Sequence, residues 1–255
     1  MKVLTRPRMH RGIAASIFVA MASLPWPAGA ADLTTKQFIE RLQQASAAAP
    51  ADFSGLDLKF LDLSDLDLSR VNFAGADLRS ANLAGSNFTG ADLSRTDLTR
   101  AVIIGADFSG ADLSGANIYR PVTYSLVSKA PTETPNFRGA NFAGARFVMH
   151  VVHADLSGAN FSNASLERRR EDPFAPSQFE WSKLDGATFA GANLEGVTIV
   201  GSDLRGADLS GADLRGASFF RCDLTGAILT GVDLRQTNLT ESILAGIIGM
   251  TSPTP

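Results

Sequence analysis

The sequence predicts a repeat solenoid, a quasi-one-dimensional stack of short coils, and three observations carry that prediction. First, a large apolar residue recurs at every fifth position from Phe53 to Ile118, and again from Phe179 to Leu244. Second, a period of five matches neither the two-residue period of a strand nor the 3.6-residue period of a helix. Third, the residues around each apolar centre repeat as well. A small residue stands two positions before it and Asp or Asn one before; Ser, Thr, Arg or Ala follows, then often Gly, as in residues 111–115 and 212–216. A fixed short repeat builds a stack in which each unit contacts its neighbours. The uniformity also argues against catalysis, because such a repeat supplies no convergent set of unlike groups.

The unit has a physical reading. Its centre and its small residue sit two apart, so an extended segment points both to one face and the intervening Asp or Asn to water. The last two positions, rich in Ser, Arg and Gly, suit a corner. Segments such as Ala76-Asp77-Leu78, Ala91-Asp92-Leu93 and Ala207-Asp208-Leu209 resemble the pentapeptide-repeat family across most of 51–246, with two interruptions. The resemblance implies an all-β solenoid, the right-handed quadrilateral parallel β-helix of that family, in which four units make one coil and residues twenty apart stack. On that expectation Phe53, Phe73, Leu93 and Leu113 share one inner column, and Leu184, Leu204, Leu224 and Leu244 share another. About nine coils at a spacing of about 4.8 Å give a rod roughly 40 Å long. Outside, Asp57, Asp77, Asp97 and Asn117 form one column and Asp52, Asn72, Asp92 and Asp112 another, with Arg79, Arg205, Arg215 and Arg235 beside such columns. These read as a solvated face that keeps the rod soluble. A calcium role is not expected, because the glycine-rich nonapeptide of calcium-binding solenoids is absent.

Taken in order, residues 1–30 read as a secretory signal peptide. Lys2, Arg6, Arg8 and Arg11 precede an apolar run at 12–24; Pro25 and Pro27 break it, and Ala28-Gly29-Ala30 offers a cleavage site before Ala31. The run is shorter than the ~20 residues of a membrane span, so no stable span is expected after cleavage, and the protein is expected in the periplasm or secreted. An uncleaved anchor is the other reading of this segment. Residues 31–50 form an N-terminal capping segment, with an amphipathic helix predicted over 34–48: Thr34 or Thr35 caps it, Phe38, Ile39 and Leu42 give its apolar stripe, and Pro50 follows. Repeat block one is 51–118, and the Pro-containing stretch 119–135 is a loop. An irregular block two covers 136–166, and a charged loop follows at 167–178. Block three is 179–246, and 247–255 is a tail. If the first loop supplies no face of the coil, the two loops leave the rod at neighbouring corners. They form one composite surface there, or are insertions without a role.

Composition narrows the partners. Leader removal takes away four of the 23 basic residues and leaves 19 against 26 acidic ones, a net −7. No nucleic acid is expected to bind so acidic a chain through its phosphates. Cys222 is the single cysteine, so no intrachain disulfide forms, and it stands at a small inward position like Ala217 and Ala227. His150 and His153 lie where Phe147 and Leu156 are nine apart rather than ten. If Val151 is the centre of that shortened unit, both histidines face outward, and with Asp155 they are candidates for a transition metal. A structural zinc site wants four ligands, so no metal and no cofactor are expected. The interaction candidates are Arg168, Arg169 and Arg170 in the second loop and Trp181 beside it, which packs at a corner or forms a patch with Phe174. At the apolar C-terminal end, Ile247, Ile248 and Met250 await a second copy (a homodimer), a protein partner, or a simple loop over the last coil. Three functions remain open. The first is an exported, non-catalytic scaffold for an unidentified protein partner. The second, implied by one branch of the resembling family, is a DNA mimic that protects DNA gyrase. The third is a metal-binding or enzymatic site around His150 and His153.

Overall fold

The structure, a computed structural model, describes residues 31–46, 49–123, 133–167 and 176–249. It begins with a helix, α1 (Thr35–Gln44), whose N-cap is Thr34. The Thr34 side chain accepts from the Gln37 N–H and the Gln37 side chain accepts from the Thr34 N–H, a reciprocal cap that ties two free helix-start donors. The helix is shorter than the 34–48 read from the sequence. Ser46 and Ala49 exchange backbone hydrogen bonds of 3.0 and 3.1 Å, and that turn ends the helix well before Pro50. Phe38 is fully buried, its ring stacked 4.0 Å from that of Phe53. The helix therefore covers the open face of the first coil.

Beyond the cap the chain winds into a square, parallel, right-handed coil, the hand that L-residue parallel crossovers take. Backbone bridges define four faces. On the first face the rungs are Asp52, Asn72, Asp92, Asp112, Asn141, Asn160, Thr188, Asp208, Ile228 and Ile248, each bridged in parallel to the next. The spacing of twenty holds through coils one to four, so the expected columns form: Phe53 and Phe73 lie under the first face, Leu184 and Leu204 under the fourth. On most faces each coil contributes a single bridge. Longer strands occur on the second face, where β1 (Asn117–Tyr119) pairs with β2 (Arg146–Val148), and on the third, where β3 (His150–Val152), β4 (Gln178–Glu180), β5 (Thr198–Val200) and β6 (Ser218–Phe220) form a four-stranded parallel sheet.

The Asp or Asn before each centre does more than face water. Its Oδ1 accepts the backbone N–H two residues on, as in Ser54 to Asp52 (3.0 Å), Ser94 to Asp92 (2.9 Å) and Ser210 to Asp208 (2.9 Å). That bond satisfies a donor the corner would otherwise leave unpaired. The corner residue itself has φ near +60°, which is why glycine recurs there. In some columns amides separate the carboxylates: Asn82 donates to Asp62 at 2.9 Å and Asn141 to Asp112 at 2.9 Å. Asp57, Asp77 and Asp97 instead stack directly, with Lys59 and Arg79 beside them.

The interruptions differ in extent from the sequence reading. The first does not begin at 119. Tyr119 lies in β1, Val122 bridges Val102, and Thr123 is buried as the centre of its unit. Pro121 and Thr123 stand where a small residue and a large apolar one are usual, and this hid the unit. The next rung, Asn136, bridges Asp107 across 29 residues instead of twenty. The second interruption ends sooner than 178: Ser177 is fully buried in the small inward position and Gln178 opens β4. Between them the spacing drops to 19, because Phe147 and Val151 are centres four apart, with Met149 filling the small inward position.

The core is one dry column set, unusually rich in phenylalanine at its middle. Phe142, Phe161 and Phe189 stack at 4.7 and 4.9 Å along the first face, and Phe147 meets Phe161 edge-on at 5.2 Å. Such stacked and edge-to-face pairs add to simple burial. The far end is less covered. Leu214, Phe219 and Leu224 are buried, but Leu234, Leu239 and Leu244, one coil on, are only partly covered. Ile248 extends the first face as a rung, so the tail starts later than 247, and it is 55% exposed like Ile243. Among the described residues no helix is long and apolar enough to cross a membrane.

Candidate interaction surface

Both interruptions open from the third face. The chain leaves the rod after Thr123, at the third-to-fourth corner of the fourth coil. It leaves again after Leu166, at the second-to-third corner of the sixth. The exits are thus neighbouring corners, at the two edges of one face and two coils apart. That face differs from the first in its outward side chains. Val152, Val200 and Phe220 stand at positions that hold Ser, Ala or Thr on the first face. β-branched and aromatic residues favour a continuous pleated strand, which accounts for the sheet here.

His150 lies on this face between the exits. It is half-buried, and its Nε2 is 2.9 Å from Glu180 Oε1 of the next coil; its carbonyl accepts from the Thr123 hydroxyl at 2.7 Å. His153 occupies the exposed corner with φ 57. Asp155 is the following rung on the fourth face, 3.9 Å from Lys183. Val151 is the buried centre, as read from the sequence, and both histidines do face outward. Yet His150, His153 and Asp155 point from a face, a corner and the next face, and among the described residues no group of three metal-ligating side chains forms.

Trp181 takes the next corner on the same edge, with φ 51 and 51% exposure. Arg221 stands two coils further along that edge, its guanidinium 4.8 Å from the Phe220 ring centre and its Nε 2.6 Å from Glu241. Arg168, Arg169, Arg170, Phe174 and Met250 lie outside the described residues. Ile247 packs partly against the end of the core. Cys222 is buried in the small inward position, and burial pushes its thiol up to about 11, so it stays protonated and unreactive.

Several charges on the second and fourth faces are compensated within their own unit. In the pattern Asp-Leu-Arg the arginine reaches back across the same face to its own aspartate. Arg205, Arg215 and Arg235 each place Nη2 2.6 Å from Asp203, Asp213 and Asp233. Hydrogen bonds from Arg235 hold the Asp233 carboxyl down at about 2. This clamp is written within three residues, and the pairing of His150 with Glu180, thirty apart, is not. The latter depends on the shortened unit and on the insertion together, and no local signal reports it.

Comparison with known proteins identifies the repeat. The family model described as Pentapeptide repeats (8 copies) matches residues 51–90, 81–118, 177–216 and 217–247. No curated protein matches the chain. Among solved structures, HetL, a pentapeptide repeat protein involved in heterocyst differentiation regulation from the cyanobacterium Nostoc sp., is 25% identical; the match covers 85% of this chain and 92% of HetL, with a TM-score of 0.36. QnrB1, a plasmid-mediated fluoroquinolone resistance protein, is 20% identical over 75% of this chain and 90% of its own, with a TM-score of 0.37. A pentapeptide repeat protein from the Arabidopsis thaliana thylakoid lumen is 24% identical over 39% of this chain and 82% of its own, with a TM-score of 0.13.

Proposed function

The chain belongs to the pentapeptide-repeat family, and from that premise we propose that it is an exported, non-catalytic scaffold whose third face is its docking surface for a protein partner. One observation carries this reading. The two interruptions of an otherwise regular rod leave at the two edges of one face, and that face carries Val152, Val200 and Phe220 outward, with Glu180 between the two valines, where the first face holds only small residues. Insertions on a rigid scaffold are where binding residues concentrate, and an apolar stripe with a polar rim is what an interface core requires. The basic, apolar and small-residue segments of 1–30, read in order, support export.

A DNA-mimic role fits the charges less well. Duplex DNA carries one charge per ~1.7 Å. A net −7, which already counts the clamping arginines, spread over roughly 40 Å of rod is one per ~6 Å.

A photo-crosslinking amino acid installed in the living cell tests the docking surface. At Val152 or Phe220 it is expected to trap one and the same protein partner, and at Ser94, on the opposite face, to trap none. Equal trapping from both faces, or none from either, contradicts the assignment of the third face.

A further inference from the structure

The corner between the third and fourth faces carries a side chain unlike its neighbours. Corner residues take positive φ, and most are glycine or a small or charged residue. Trp181 holds φ 51 there, a left-handed conformation that is unfavourable for a residue with a side chain. A bulky residue kept in that region is a reason to look for a use.

The way the indole sits supplies one. A Cβ added to Gly201, the corner residue one coil on, would stand 2.3 Å from Cε3, 2.3 Å from Cζ3 and 2.9 Å from Cδ2 of Trp181. Those three distances put the point above the Cε3–Cζ3 bond and off the ring plane; an approach within the plane would leave Cδ2 much farther away. The indole therefore lies face down on Gly201, which has no side chain to lift it. Its other face is open, consistent with 51% exposure. The surrounding side chains are long, polar and exposed: Glu180 and Lys183 flank Trp181 in sequence, and Arg221 and Glu241 continue the same edge. Their side-chain exposures are 37, 66, 55 and 51%.

We propose that Trp181 is the stacking platform of a saccharide-binding site on this corner. A pyranose ring has a C–H face that covers an indole and a rim of hydroxyls that both donate and accept. Glu180 supplies acceptors and Lys183 donors for that rim, and the indole supplies broad apolar contact. Arg221 and Glu241, bonded to each other two and three coils further along the edge, face the next sugars of a longer chain. Other flat or cationic ligands fit less well. A quaternary ammonium is held by an aromatic cage, and one ring makes no cage. Stacked nucleobases need a continuous cationic track, which the two glutamates interrupt. A polyproline segment needs an aromatic-lined groove, and this shelf is a single ring. The site is separate from the protein-docking reading and stands without it.

The sequence has two tryptophans, so Trp26→Phe in the full chain leaves Trp181 as its only indole fluorophore. Titration of that variant with chitotetraose and with cellotetraose is expected to give a saturable spectral shift for at least one sugar, with a Kd of about 1 mM or tighter. By calorimetry, Trp181→Ala is expected to abolish the binding. The replaced side chain is exposed, so the coil keeps its far-UV circular dichroism. Gly201→Ala, which lifts the indole off its seat, is expected to weaken binding roughly tenfold. No saturable response to either sugar overturns the proposal, as does undiminished binding by Trp181→Ala. A response to tetramethylammonium or to a proline-rich peptide in place of the sugars also overturns it.

Discussion

Replacing Phe161 with alanine is expected to destabilise the rod by about 3–5 kcal/mol, the range for removing a fully buried phenylalanine ring. The site argues for the upper part of that range. Phe161 is fully buried and touches four other rings: Phe142 at 4.7 Å and Phe189 at 4.9 Å in its own column, Phe147 at 5.2 Å and Phe179 at 6.5 Å across the core. A cavity there has little chance to collapse, because the coils above and below are held by backbone bridges at Asn160 that fix their spacing. The sixth coil is also the one that the second insertion interrupts, so it has the least local chain to rely on. Urea unfolding with an unchanged m-value reads the loss directly. A loss below about 1 kcal/mol would mean that the phenylalanine column is not the keystone its packing makes it.

Phe38→Ala is expected to have an effect of similar local size but a different form. Phe38 is the one buried residue of α1, and its ring is the lid on Phe53. In a solenoid, stability is close to a sum over neighbouring repeats. Loss of the lid should therefore fray the first coil rather than unfold the rod. Hydrogen exchange is the suitable readout: the Phe53 and Leu58 amides, bonded to the Asn72 and Asp77 carbonyls, should lose protection by several orders of magnitude, as about 3–5 kcal/mol implies. Leu194 and Leu204, in the seventh coil, should keep theirs. An exposed first coil also presents an open edge and an apolar end, so the variant should associate at high concentration. Uniform loss of protection along the whole rod would contradict the picture of independent coils.

The rhythm of the repeat was legible because each inward centre is large and each corner is small, and burial forces both. From that alone the inner columns of coils one to three follow residue by residue. Legibility fails wherever a position is filled by an unusual residue that the coil tolerates. Thr123 as a centre, Pro121 and Ser177 as small inward residues and Met149 in an alanine position are each acceptable because the neighbouring rungs already fix the backbone. The short step between Phe147 and Val151 was read correctly, since two strong centres bracket it. What no five-residue window contains is the partner twenty, twenty-eight or thirty residues away. The pairing of His150 with Glu180 arises only once the insertion has been counted into the register, and the seat of Trp181 on Gly201, though a plain twenty apart, shows only in the lie of the indole. The outward aspartates were legible as a polar face, but their second role, capping the N–H two residues on, follows from corner geometry rather than from polarity. The histidine cluster that spacing allowed is dispersed by the same geometry, because consecutive outward positions turn through a corner.

The proposed scaffold works outside the cytosol, through its surface. Intact mass and cell fractionation of the chain expressed with its own leader test that most directly. The predicted result is a form beginning at Ala31, recovered from the periplasm or the medium. An intact chain that retains Met1 through Ala30 and stays in the cytosol would contradict it, and protection of a DNA topoisomerase would become the function to examine.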